Sequence, residues 1–115
     1  MTASGKPVSL RQNQLHMKHS IESISGEAFA RQELVDFLAG FEDEDRGKAF
    51  WQRRLAFWWD ENPACRADSP RGWVVRAEGR IVGFLGVIPC DYVHQGKVLP
   101  AYAATTWRVD REHRP

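Results

Sequence analysis

The feature that most constrains this chain is a pair of glycine turns that cut Gly72 to Val109 into three extended runs. Gly72-Trp73-Val74-Val75-Arg76-Ala77 is β-branched and aromatic, and the connection Glu78-Gly79-Arg80 follows it. Next comes Ile81-Val82-Gly83-Phe84-Leu85-Gly86-Val87-Ile88, and a second turn around Gln95-Gly96-Lys97 leads into Val98 to Val109. A glycine inside so short a connection signals a hairpin, because the turns that match strand twist need positive φ. The spacing predicts an antiparallel meander. Gly83 and Gly86 interrupt its second run, where they serve a bulge or helix crossing, or else leave space for a substrate. Pro89 and the irregular Cys90-Asp91-Tyr92 predict distorted pairing beyond Ile88.

Ahead of the meander the pattern changes period. Residues 1–14 are polar, with Gly5 and Pro7 and no periodicity, and read as a disordered leader. Leu15, Met17 and Ile21 suggest a short strand over Leu15 to Ile24. His16 and His19 lie in it at a spacing that points them to opposite faces, which suits surface histidines better than a metal pair. Ser25 is placed to cap a helix whose buried face is Ala30, Leu34, Phe37, Leu38 and Phe41, with Gly40 ending it. A second helix is expected from Lys48 to Trp59, with Trp51, Leu55, Trp58 and Trp59 on one stripe. Phe50 and Phe57 add more aromatic surface than one face needs, so core packing competes with a cleft wall. Asn62-Pro63 stops it. Between the helices, Glu42-Asp43-Glu44-Asp45 reads as a solvated loop favouring the next helix's N-terminus, or as an acidic lip that attracts a cationic amine.

Composition narrows the class. The chain has 115 residues, enough for one domain, and a formal charge of +1 that exerts no global pull on nucleic acid or an anionic membrane. Cys65 and Cys90 form no C-x-x-C, so neither a disulfide framework nor a metal site is expected. No apolar run is long enough to span a bilayer, and the first residues lack a signal-type core; a cytoplasmic protein is the expectation.

The stretches WVVRAEGRIVGFLGVIP, AYAATTWRV and VDREHRP resemble the first half of the GNAT superfamily of N-acyltransferases. That family has a hairpin of the form G-x-I-V-G-x-x-G, then a strand ending in Val or Ile. A short turn later an Arg or Gln opens the loop R-x-x-G-x-G/A, and Val109 and Arg114 stand at that spacing. The resemblance covers residues 15–115. It implies an α+β domain, a partial GNAT-like fold of order β-α-α-β-β-β with an antiparallel sheet and two helices. It further implies an N-acyltransferase, typically an N-acetyltransferase, moving an acyl group from acetyl-CoA to an amine acceptor.

By the same resemblance, Trp107, Arg108 and Val109 bind the pantetheine arm through their backbone, and Arg114 opens the pyrophosphate loop. The glycines of that loop do not follow Arg114, so this stretch alone is expected to be inactive. It is expected to leave a strand edge open to homodimerisation, to a partner or to further polypeptide. The alternative is a non-catalytic GNAT-like interaction module or truncated remnant. No catalytic residue is assigned. The family's usual carboxylate position falls on Ala103, and Tyr102, Asp91 and His94 are the remaining candidates for proton handling.

Overall fold

The computed structural model describes residues 19–26 and 29–115. The expected leader, Leu15, His16 and Met17 lie outside them. Strand β1 (His19–Ser23) is followed by helices α1 (Arg31–Ala39) and α2 (Lys48–Leu55), then by strands β2 (Gly72–Ala77), β3 (Arg80–His94) and β4 (Lys97–Val109). All four strands form one antiparallel sheet in the order β1-β2-β3-β4. Both hairpin turns have two central residues at positive φ, Glu78-Gly79 and Gln95-Gly96. That geometry matches the right-handed twist of the flanking strands.

Both helices lie on one face of the sheet. Leu34, Val35 and Leu38 of α1 and Trp51 and Leu55 of α2 are buried with Val74, Ile81 and Phe84. Burying side chains of this size contributes about 1.5–3 kcal/mol each, which holds two short helices that would not persist alone. Phe37 is half-buried at the edge of this cluster.

Three local expectations are corrected. Ser25 does not cap α1, which begins at Arg31 after Ala30. Ile24 and Phe29 are both buried, and the helix starts only after Phe29. The α-geometry of the second helix ends at Leu55, and Ala56–Asp60 form a wide π turn closed by Glu61 N–H to Ala56 C=O (2.8 Å). The wider turn buries the adjacent Trp58 and Trp59 together, and Trp59 Nε1 donates to the Val87 carbonyl (2.9 Å).

The third correction concerns β3, whose pairing with β4 beyond Ile88 is regular to the tip of the hairpin, His94 opposite Lys97. Pro89 does not disturb it because of the side on which its nitrogen lies. Val87 N–H donates to Arg71 on the β2 side. Pro89, two residues on, therefore turns its nitrogen past the end of β2, where no ladder donor is needed. Its carbonyl there accepts from Asn62 Nδ2 (2.7 Å).

Candidate functional site

The end of β4 departs from a plain strand. Leu85 pairs with Trp107 and Gly86 with Thr105, so Thr106 is an extra residue on β4. Its φ is +42°, a left-handed value that costs a β-branched residue about 1–3 kcal/mol and marks a β-bulge. Gly86 opposite makes room: a Cβ there would lie 2.8 Å from Phe84 Cζ and 3.2 Å from Thr105 Cγ2.

Beyond the bulge, alternation sorts the backbone. Asp110 N–H bonds Val82 C=O across the β3 side (2.8 Å), so the groups of Val109 and Trp107 face the other way, where no strand lies among the described residues. Arg114 Nε donates to the Val109 carbonyl from that open side (2.8 Å).

Two adjoining grooves run along this edge, of about 380 and 370 Å³, and both are lined by Phe41, Trp107, Arg108 and Arg114. Glu42, Asp43, Glu44 and Arg111 make the first one polar. Val109 and Pro115 make the second one apolar. Trp107 is 79% exposed and stands between them.

The polar groove is organised by Glu44, whose side chain is only 2% exposed. It accepts from Arg108 Nη1 (2.6 Å), Arg46 Nε (2.8 Å) and the Arg46 backbone N–H (2.8 Å). Hydrogen bonds from Arg46, then from Arg108, outweigh the desolvation that opposes them and hold its carboxyl well below the usual range, at about 2. Glu44 is therefore an anion at all ordinary pH and is unsuited to accept a proton. The Arg108 guanidinium lies over the rings of Phe41 (5.3 Å) and Trp51 (5.1 Å). Glu42 holds Arg111 (2.7 Å) and Arg114 (3.2 Å).

No family model matches the chain, and no curated protein matches it. Among solved structures it is similar to N-myristoyltransferase from Saccharomyces cerevisiae with bound myristoyl-CoA, at 20% identity and a TM-score of 0.54. The match covers 83% of this chain and 22% of that one, so the chain spans less than a quarter of the protein it resembles. An identity that low speaks for the fold alone. The fold is GNAT-like and partial. Its α+β order, β-α-α-β-β-β, is the one expected from the sequence.

Within this GNAT-like sheet, Trp107, Arg108, Val109 and Arg114 do line one groove. Arg108 faces the helices, however, and its charge is already matched by Glu44. The sequence reading offered Glu42 and Glu44 as an acidic lip for an amine and not as partners of the β4 arginines, and it missed Phe41 and Thr106 as parts of the site. Asp43 and Asp45 of the acidic run are exposed, as expected of a solvated loop, but the residue before α2 is Gly47 and no acid lies in its first turn. Glu44 clamps Arg108, and Glu42 clamps Arg111 and Arg114, just past the end of β4.

The candidates for proton handling lie elsewhere. Asp91 pairs with Arg66 (3.4 Å), His94 stacks on Tyr92 near the hairpin tip, and Tyr102 is exposed on β4 before the bulge. His19 Nε2 lies 3.0 Å from His113 Nδ1, and His16 is outside the described residues. Among the described residues no group of three or more His, Cys, Asp or Glu side chains is arranged to hold a metal ion. Cys65 and Cys90 are free thiols. On the helix side, Phe57, Trp58, Pro63, Ile88 and Pro89 line a separate apolar groove of about 500 Å³, with Glu61 and Asp91 among its walls.

Proposed function

We propose that this chain carries the donor-binding edge of an N-acyltransferase, one that moves an acyl group from an acyl-CoA thioester to an amine. The observation that carries this reading is the open, bulged end of β4. Trp107 and the Val109 N–H face outward there with no neighbouring strand among the described residues, beside an apolar groove and two arginines, one of which holds the Val109 carbonyl. An extended pantetheine arm has amide groups that pair with a strand edge as an added strand does. An N–H near the bulge, aimed at a thioester oxygen, would supply the stabilisation that acyl transfer needs.

The residues present fit the arm better than the phosphates. Phe41, Trp107, Val109 and Pro115 offer apolar contact, and the strand edge offers donors and acceptors. For phosphate the chain provides Arg111 and Arg114, both already bonded to Glu42. Bound CoA supplies an activated acyl group; the chain's part is to hold the arm straight and keep the thioester beside the bulge. Acetyl-CoA is the smallest donor consistent with this site, and the similarity to a structure holding myristoyl-CoA supports an acyl-CoA of some length. The acceptor is an amine, in a protein that acts in the cytoplasm.

The second reading is a GNAT-like module that binds a partner and does no chemistry. Glu44 favours it, since the carboxylate at the centre of the polar groove is locked as an anion. Calorimetry separates the two. Titrating the chain with CoA, acetyl-CoA and myristoyl-CoA should give saturable binding, weakened by Trp107→Ala. Absence of binding by all three ligands would leave the interaction module as the better account.

A further inference from the structure

The long hairpin has a part that the donor site does not use. β2 reaches only as far as Gly86 on β3, and the last side-chain ties to the rest of the molecule are Asn62 at Pro89 and Arg66 at Asp91. From Cys90 to Ala101, β3 and β4 continue as a two-stranded ribbon, which contributes to a molecule extending 65 Å along its longest axis. Such a ribbon is marginal in water by itself. This one also exposes large apolar side chains: Tyr92 is 59% and Leu99 45% exposed, on opposite strands in register, and Val93 and Val98 pair on the reverse face.

The face bearing Tyr92 and Leu99 continues a particular groove. Along β3, Phe84, Ile88, Cys90 and Tyr92 alternate onto the side covered by the helices, so the face runs from Tyr92 down to the apolar groove of about 500 Å³ at the ribbon's base. Phe57, 67% exposed, is one of its walls. Charge differs between the ends. The tip carries His94 and Lys97; at the base Asp91 is matched by Arg66 (3.4 Å), which leaves Glu61 as the negative charge on the groove wall.

We propose that this ribbon is a docking arm for a second copy of the chain. Two equal arms laid antiparallel, helix-side face to helix-side face, put each tip over the other's base. Tyr92 and Leu99 of one copy then enter the groove between Phe57 and Ile88 of the other, and Lys97 meets Glu61. The contact is made twice by one two-fold operation, so it closes as a dimer and does not propagate. An apolar centre with a complementary charged rim is the usual anatomy of such an interface. The donor edge of β4, near Trp107, stays outside it.

Sedimentation equilibrium on the full chain tests this. Wild type should be a dimer at micromolar concentration. Tyr92→Ser with Leu99→Ser should be monomeric with an unchanged far-UV spectrum. Lys97→Glu and Glu61→Lys should each raise the dissociation constant about tenfold or more, because like charges then face each other. Combining the two reversals should restore association, and only a Lys97–Glu61 contact predicts that rescue. A wild type that stays monomeric at the highest concentration reached overturns the proposal. So does a dimer indifferent to both reversals. A monomer that sediments with phosphatidylserine vesicles would make the ribbon a membrane arm and also overturn it.

Discussion

A carboxylate with a side chain 2% exposed is stable as an anion only if its oxygens are bonded, and Glu44 draws its donors from Arg46 and Arg108. Replacing it by Gln keeps the volume but turns an amide donor toward guanidinium groups. We expect Glu44→Gln to cost about 2 kcal/mol in urea unfolding at neutral pH, the range of a charge-assisted bond lost. The pH dependence has a definite sign. The folded carboxyl titrates at about 2, below its ordinary 4.5, so the stabilisation is complete above the ordinary value and is lost as pH falls toward the folded one. The wild-type urea midpoint should drop across that window, and the Glu44→Gln midpoint should drop less. Parallel curves would remove Glu44 from the account.

None of this was legible in the sequence. Glu44 meets Arg108 across 64 positions, and Glu42 meets Arg111 across 69. A run of acids carries no mark of which cations the fold will bring to it. Thr106 was equally silent, because a bulge signalled by neither Gly nor Asn looks like ordinary strand.

At the scale of elements the sequence was a better guide, because hairpins and helix faces are set by local periodicity. The turn glycines, the stripe of Trp51, Leu55, Trp58 and Trp59, and the order of the strands all follow from spacing. What spacing did not show is which strand glycines are indispensable. At Gly72 φ is +128°, and a Cβ would collide with the Leu85 carbonyl oxygen. At Gly86 it would press on the buried Phe84 ring, whereas at Gly83 it would meet the Val75 side chain at 3.4 Å, an ordinary contact. Gly72→Ala should therefore be the most damaging, at about 3 kcal/mol or more with strain and clash combined. Gly86→Ala should cost about 1–3 kcal/mol through overpacking. Gly83→Ala should stay within about 0.5 kcal/mol. Urea midpoints at constant m-value check the ranking, and a Gly83→Ala as severe as Gly72→Ala would mean the register beside β2 is misread. Trp59 is a further case. Its Nε1 is tied to Val87 C=O, so Trp59→Phe should cost about 1–2 kcal/mol by leaving that buried carbonyl unpaired.

The whole molecule is lopsided, and its lopsidedness separates stability from function. Nearly every buried aromatic lies between the helices and one face of the sheet. The reverse face carries Ile21, Trp73, Val75, Leu85, Trp107 and Val109 around an apolar groove of about 400 Å³, with Ile21 and Trp107 largely exposed. Tryptophans on the two faces should then respond in opposite ways. Trp51 is 1% exposed and packs in the core, so Trp51→Ala should cost about 3–5 kcal/mol. Trp107→Ala removes a ring that contacts solvent over most of its surface and should move the unfolding midpoint by less than about 0.5 kcal/mol. If the edge of β4 holds an acyl-CoA, the same substitution should weaken binding about tenfold, as loss of a well-packed aromatic anchor does at a binding hot spot. A Trp107→Ala protein that unfolds early would put the ring in the folded core after all. One that keeps both its stability and its affinity would move the donor off this edge.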